Sequence, residues 1–187
     1  MIRILAAVIG LALALPAAAA PLDIGPAVGA RAPAVSVRDA EGQPVRLADI
    51  TGPKGVVLVF VRSAAWCPYC QAQLIDLKAA QGPLTARGYG LAALSYDAPE
   101  VLATFAQRRE IGYDLLSDEE SKVIRAFGLL DPQYPPGHRA HGVPQPAIFV
   151  LSPEGRVRAK LAEEGYKSRP PTSAVLEAID ALGRRGR

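Results

Sequence analysis

Apolar runs of strand length alternate with segments of helical periodicity along most of this chain. One strongly apolar run covers residues 56–61, and a helical pattern follows it over residues 67–80. A second apolar run at 90–95 and a helical pattern at 99–110 repeat this order. Strands that alternate with helices in this way predict an α/β fold with a parallel core.

Shorter elements are predicted on both sides of this core. Residues 34–38 and 44–47 flank a turn-rich segment and predict an N-terminal β-hairpin. Residues 131–146 contain five prolines and predict a long loop. The remaining predicted elements are a strand at 114–116, a helix from 117 to 127, a hairpin of strands at 147–151 and 156–161, and a last helix from 172 or 173 to 182. We therefore expect one domain over residues 34–183.

The first 20 residues have the composition of an export signal. Arg3 precedes an apolar run at 4–15, which is followed by Pro16 and four alanines. A membrane span needs roughly 20 apolar residues, so a retained anchor is the less favoured alternative. We expect a cleaved signal peptide at 1–20, a loose lead-in at 21–33, and a periplasmic or secreted domain.

The charge of the chain gives no reason to expect nucleic acid as a partner. The sequence has 21 basic and 18 acidic residues, which is close to balance. The basic residues at 184–187 are interpreted as a solvated tail.

Cys67 and Cys70 are the only cysteines in the chain, and they lie between an apolar strand and a helical pattern. A thiol in the first turn of a helix meets the positive end of the helix dipole and free backbone N–H groups. Both favour the thiolate, so Cys67 is predicted to be the attacking thiol. Cys70 lies one turn further on the same face and is predicted to be the resolving thiol. Pro68, at the start of the helix, needs no N–H partner.

Three other interpretations of the cysteine pair compete with a redox role. A structural disulfide would close a very short loop and would stabilise the fold little. A zinc site normally needs four ligands, and only His138 and His141 remain as nitrogen donors, in a distant loop. Two buried, inert thiols are the third alternative. The strand–loop–helix context favours the redox interpretation.

Taken together, several segments resemble the thioredoxin fold, and in particular the redoxin group that includes alkyl hydroperoxide reductase/thiol-specific antioxidant-like and TlpA-like proteins. The resemblance covers roughly residues 30–183. It implies a central mixed sheet flanked by helices, with an N-terminal β-hairpin and an inserted βα segment. The segments that carry it are residues 32–33, the Trp-Cys-Pro-Tyr-Cys motif at 66–70, the insertion at 115–128, and the patterns at 142–150 and 152–156.

The resemblance also implies roles for residues around the cysteines. It places a cis-proline at Pro146, so that the backbone of Gln145 would bind an extended substrate beside Cys67. Trp66 is expected to shield the site, and Tyr69 completes a Cys-Pro-Tyr-Cys motif that is also similar to that of glutaredoxins.

Two departures from the thioredoxin pattern concern charge near the cysteines. Val61 stands where thioredoxins carry a buried carboxylate, and Arg62 follows it. The Arg62 charge would favour the Cys67 thiolate, or Arg62 would pair with an acidic neighbour.

The chain also departs from the peroxiredoxin pattern Pro-x-x-x-Thr/Ser-x-x-Cys. Counted from the first cysteine, the Pro and Thr/Ser positions hold Phe60 and Ala64; counted from the second, they hold Ser63 and Cys67. The arginine of the late strand corresponds to Pro146. Because neither register keeps the residues that activate peroxide, we expect peroxide reduction to be weaker than disulfide exchange.

These observations predict an exported thiol–disulfide oxidoreductase that needs no cofactor and no metal. Its partners would be a protein or small-molecule thiol or disulfide, and a thioredoxin-type or membrane-bound redox protein. The first alternative is a thiol-dependent peroxidase that uses the same two cysteines. The second is a copper-handling protein that uses both cysteines with His138 or His141, because soft thiolates suit Cu(I).

Overall fold

The computed structural model describes residues 22–185, in which seven strands form one mixed sheet. The strands are β1 (Ser36–Arg38), β2 (Pro44–Arg46), β3 (Gly55–Phe60), β4 (Tyr89–Ser95), β5 (Asp114–Ser117), β6 (Ala147–Leu151) and β7 (Val157–Leu161). The helices are α1 (Pro68–Asp76), α2 (Lys78–Ala86), α3 (Pro99–Arg109), α4 (Lys122–Ala126) and α5 (Thr172–Arg185), and a short 3-10 helix covers Leu47–Ile50.

The sheet order is β2-β1-β5-β4-β3-β6-β7. The central strands β3, β4 and β5 are parallel, and the pairs on either side of them are antiparallel. The predicted α/β thioredoxin-like fold, with its mixed sheet and N-terminal hairpin, is therefore confirmed. The carboxyl ends of β3 and β4 lie side by side, because Phe60 pairs with Leu94. This edge of the sheet carries the cysteine motif.

Strand β3 is buried on both faces of the sheet and separates two apolar clusters. Val57 and Val59 face the cluster that includes α1, α2, α3 and α5. Val56, Leu58 and Phe60 face the cluster that includes α4. This alternation follows from the two-residue period of a strand, and it explains why β3 reads as an unbroken apolar run.

The helix predicted at 67–80 is two helices that meet at Leu77. The second, α2, continues to Ala86 although Gly82 and Pro83 are signals for a helix end. Ala80 and Leu84 lie on either side of these residues and are fully buried, so packing in the core outweighs the local preference.

The helix predicted at 117–127 is much shorter, because its first residues have other roles. Ser117 belongs to β5, and α4 begins only at Lys122. The buried carboxylate of Asp118 accepts the backbone N–H of Ile124 at 2.8 Å. This hydrogen bond supports the short helix α4 from outside the helix. Burial of the carboxylate raises the pKa of Asp118.

The predicted loose lead-in is hydrogen-bonded to the sheet at several points from residue 23 onward. Gly29 donates its N–H to Val157 O at 2.8 Å, and Val157 donates in return to Ala30 O at 2.9 Å. Lys160 Nζ donates to Ile24 O at 3.0 Å. The lead-in therefore lies along β7. The predicted domain boundaries stay predictions.

The signal peptide predicted at 1–20 lies outside the described residues. Within 22–185, no helix has the length and apolar character that crossing a membrane requires. At the other end, α5 extends into the predicted basic tail as far as Arg185.

Candidate active site

The two cysteines lie at the N-terminal end of α1. Cys67 is the N-cap, and its Sγ accepts the backbone N–H of Cys70 at 3.3 Å. Pro68 occupies the first helical position, as predicted from its missing N–H. Cys67 and Cys70 form a disulfide with a Cα–Cα distance of 5.2 Å, and both side chains are buried. The structure therefore brings the two predicted catalytic residues into one disulfide-bonded pair.

A buried carboxylate holds the loop between β3 and the first cysteine. Asp97 follows β4 and accepts the hydroxyl of Ser63 at 2.7 Å and the backbone N–H of Ala64 at 2.6 Å. It also accepts the hydroxyl of Ser95 at 2.9 Å. These bonds tie the loop before Cys67 to the end of β4, which is the neighbouring strand.

Arg62 lies inside a cage of aromatic rings. Its guanidinium carbon is 5.2 Å from the ring centre of Trp66, 5.1 Å from that of Tyr134 and 4.2 Å from that of Tyr166. One guanidinium nitrogen donates to the Tyr134 hydroxyl at 2.5 Å. The acidic neighbour that was one of the two alternatives for Arg62 is not found among the ion pairs of the described residues. Aromatic faces attract a cation through their quadrupole, so the cage stabilises the buried charge in part.

The segment between β7 and α5 closes over the other side of the motif. Arg169 donates from one guanidinium nitrogen toward Cys70 Sγ at 3.5 Å, and from Nε to the side-chain oxygen of Gln73 at 3.0 Å. Burial, with a smaller effect from the charge of Arg62, lowers the pKa of Arg169 to about 10. Arg169 is therefore still charged at neutral pH and puts a cation next to the second sulfur.

Trp66 and Tyr69 are both partly exposed at the rim of the site, and the predicted shielding role of Trp66 stays a prediction. Trp66 is 45% exposed, and its indole N–H donates to the Tyr96 hydroxyl at 3.1 Å. Tyr69 is 40% exposed and packs edge-on against Tyr166 at 6.1 Å between ring centres. Burial raises the pKa of Tyr96, which keeps its hydroxyl neutral.

The prediction of a cis peptide bond at Gln145–Pro146 is wrong. The described residues contain no cis bond. Pro144 forms an isolated bridge with Leu130, and Gln145 donates its N–H to Leu129 O at 2.6 Å. The chain is thus already extended as it enters β6, and the ordinary trans bond continues it. The Gln145 N–H is thus engaged within the fold, and binding of a substrate by the Gln145 backbone stays a prediction.

The copper-handling alternative is not supported by the positions of the histidines. Over residues 22–185, no group of three or more His, Cys, Asp or Glu side chains is arranged to hold a metal ion. His138 Nδ1 accepts the backbone N–H of Ala140 at 3.0 Å. His141 Nδ1 lies 2.8 Å from Tyr134 O. Both rings are thus engaged within their own loop.

Sequence reasoning missed Asp97, Tyr134, Tyr166 and Arg169. Asp97 had a usable signal, because it follows β4 and the carboxyl ends of parallel strands meet at one edge of the sheet. The other three lie in long loops, whose path no periodic pattern predicts.

Comparison with known proteins shows the family that this chain resembles. The family model described as "AhpC/TSA family" matches residues 28–160. A protein of Mycobacterium tuberculosis that is named as a peroxiredoxin is 34% identical over 129 residues, which are 69% of this chain and 80% of that protein. Peroxiredoxin Bcp of Escherichia coli is 30% identical over 126 residues, or 67% of this chain and 79% of its own length. The crystal structure of peroxidoxin BcpB from M. tuberculosis has a TM-score of 0.69 at 23% identity and covers 86% of this chain and 97% of that one, which supports the fold.

These relatives overturn the prediction that thiol–disulfide exchange, rather than peroxide reduction, is the main reaction. That prediction depended on the absence of the usual peroxide-activating residues, yet the two relatives described above are named peroxiredoxins. The predicted redoxin resemblance, in contrast, is confirmed. With a match over residues 28–160 of its 187, this chain belongs to the AhpC/TSA family.

Proposed function

We propose that this chain is a thiol-dependent peroxidase that reduces hydroperoxides with Cys67 and Cys70. The observation that carries the proposal is the bonded pair of sulfurs at the N-terminus of α1, with a guanidinium against the second sulfur. The similarity to named peroxiredoxins supports the same reaction.

The first step uses the thiolate of Cys67. The helix N-terminus and the backbone N–H of Cys70 favour negative charge on this sulfur. The thiolate attacks one peroxide oxygen, so that an S–O bond forms while the O–O bond breaks. The leaving alkoxide takes a proton and departs as an alcohol, or as water when the substrate is hydrogen peroxide. Cys67 is left as a sulfenic acid.

The second step uses Cys70. Its thiol attacks the Cys67 sulfur, the S–S bond forms, and the sulfenic oxygen leaves as water. The peroxide has then gained two electrons and the two thiols have lost them. Because the residues are one helical turn apart, the disulfide closes without unwinding α1.

An external dithiol returns the pair to its reduced form by thiol–disulfide exchange. A thioredoxin-type protein is the proposed reductant, because its two thiols complete the exchange without a mixed disulfide accumulating. We also propose that the protein acts outside the cytoplasm, on the evidence of the signal-like residues 1–20.

Pro146 stands where the resemblance to peroxiredoxins implies a peroxide-activating arginine, so this position supplies no positive charge to Cys67. At the other sulfur, Arg169 is the proposed source of positive charge, since its guanidinium lies 3.5 Å from Cys70 Sγ. It would stabilise the developing thiolate of the resolving residue.

Turnover with a dithiol reductant tests the proposal. Cumene hydroperoxide, thioredoxin and thioredoxin reductase should give one alcohol for each NADPH consumed. Cys67→Ser should abolish the activity. Equal consumption by wild type and Cys67→Ser would contradict the proposal.

A further inference from the structure

A cavity of about 360 Å³ lies beside Trp66, the residue that precedes the attacking cysteine. Aromatic rings and cationic side chains make up most of its wall. The residues concerned are Trp66, Tyr96, Tyr134, His138, Arg62 and Arg139.

Arg62 is the unusual member of this wall. It is 2% exposed, and its Nε has no hydrogen-bond partner. Within residues 22–185, none of the ion pairs includes Arg62. Burying a charge without a counter-ion costs desolvation free energy, and the aromatic cage offsets only part of this cost. A bound anion would supply the missing counter-charge.

The rest of the wall suits an anion that has a flat apolar body. No aspartate or glutamate lines the cavity, and exposed Arg139 adds a second cation. The Trp66 and Tyr96 rings meet edge-to-face at 6.5 Å, and Tyr134 and His138 lie 4.8 Å apart at a tilt. Such ring surfaces bind an aromatic or compact alkyl group.

We propose that this cavity binds a small organic carboxylate with an aromatic or compact apolar body, whose charge contacts Arg62 and Arg139. Resting on the proposed peroxidase function, we infer that the cavity selects hydroperoxides that carry a carboxylate over their neutral counterparts. Arg62 and Trp66 would hold the acidic end and the body of such a substrate next to the cysteine motif.

Binding is tested on the oxidised protein, where no turnover occurs. Trp66 is the only tryptophan in the chain and lines the cavity, so its fluorescence reports on occupancy. Sodium 4-isopropylbenzoate should change this fluorescence with a saturable curve, and its methyl ester should bind about tenfold more weakly because it lacks the charge. Added salt should weaken the binding of the carboxylate.

Variants locate the contact. Arg139→Gln changes an exposed side chain and should weaken binding of 4-isopropylbenzoate severalfold, whereas Arg158→Gln removes an exposed arginine on β7 and should have no effect. Arg62→Lys keeps the charge but changes its shape, and should also weaken binding. Equal affinity for the acid and its ester, or equal affinity in the wild type and Arg139→Gln, would overturn the proposed anion site.

The kinetic arm compares 4-carboxycumene hydroperoxide with its methyl ester on reduced protein. The acid should be reduced about tenfold faster at low concentration, and Arg139→Gln should remove most of this preference. Equal rates in the wild type would overturn the selectivity. If neither hydroperoxide reacts, the peroxidase proposal fails and the selectivity falls with it, while the fluorescence titration still decides whether the cavity binds carboxylates.

Discussion

At the scale of single residues, the two sulfurs meet different sources of positive charge. Cys67 caps α1 and faces backbone N–H groups, whereas Cys70 lies inside the first turn, against Arg169. A helix N-terminus acts on the residue at the cap whatever the fold around it. The guanidinium contact exists only because the loop after β7 folds back onto α1.

The order of the two cysteines in the reaction can be tested by trapping. In Cys70→Ser, peroxide should convert Cys67 to a sulfenic acid that dimedone labels, because no resolving thiol remains. Mass spectrometry of the labelled peptide gives the position. Faster labelling of Cys70 in the matched variant Cys67→Ser would reverse the two roles.

Arg169 should raise the reactivity of Cys70 in the reduced protein. In a Cys67→Ser background, Arg169→Met should slow alkylation of Cys70 at neutral pH severalfold, because the thiolate loses a neighbouring cation. Iodoacetamide labelling followed over a range of pH measures this change.

Lys167→Met is the matched control, since it removes an exposed positive charge from the same segment. Equal labelling rates for Arg169→Met and Lys167→Met would show that the contact between Arg169 and Cys70 Sγ does not change the reactivity of Cys70.

At the scale of elements, the position of α1 depends on how β3 and β4 end. Asp97 connects the two strand ends through Ser63 and Ala64, so the loop before Cys67 is held by a carboxylate from the adjacent strand. At the start of β3, Gly55 has a φ of 136° and lies against β6. Asp97 thus fixes the loop before Cys67 at the carboxyl end of β3, and the close contact of Gly55 with β6 fixes the other end of the same strand.

Removal of the Asp97 carboxylate should destabilise the fold. Asp97→Ala would leave the Ser63 hydroxyl and the Ala64 N–H without their buried acceptor. We expect this to lower the free energy of unfolding by about 3 kcal/mol. Urea denaturation measures the loss. Exposed Glu119→Ala serves as control and should change stability by less than about 0.5 kcal/mol. A loss for Asp97→Ala no larger than that of the control would contradict the role of Asp97.

Gly55 should tolerate no side chain. A Cβ built there would come within 1.9 Å of Leu151 O, and the positive φ is unfavourable for other residues. Gly55→Ala should lower the melting temperature by several degrees.

Gly183→Ala provides the comparison, because nothing lies within 4 Å of a Cβ at this helical position. It should leave stability unchanged or raise it by up to about 1 kcal/mol. Similar melting temperatures for the two variants would contradict the close approach of β3 and β6.

At the scale of the whole molecule, local sequence patterns predicted the strands of the sheet but not the loops that cover the cysteine motif. The apolar runs predicted β3, β4, β6 and β7. A strand buried on both faces is a continuous apolar run, and a half-buried strand alternates apolar and polar residues, so both patterns are visible in neighbouring residues. The Cys67–Cys70 pair and Pro68 at the helix start were likewise local signals.

The features that sequence reasoning missed depend on contacts between distant segments. Arg169 meets Cys70 across 99 residues, and Arg62 meets Tyr134 across 72. The trans bond at Pro146 depends on the pairing of its loop with Leu129, which no neighbouring residue indicates. The chain lacks the usual peroxiredoxin motif, and matching to that motif could not identify Arg169, because its guanidinium comes from another loop.

The rate at which hydrogen peroxide oxidises the reduced protein tests the proposed peroxidase function most directly. Stopped-flow fluorescence of Trp66, which adjoins Cys67, follows formation of the disulfide in a single turnover. We expect a second-order rate constant far above that of free cysteine at the same pH, one peroxide consumed per disulfide formed, and loss of the fast phase in Cys67→Ser. A rate constant no greater than that of free cysteine would contradict the proposed peroxidase function.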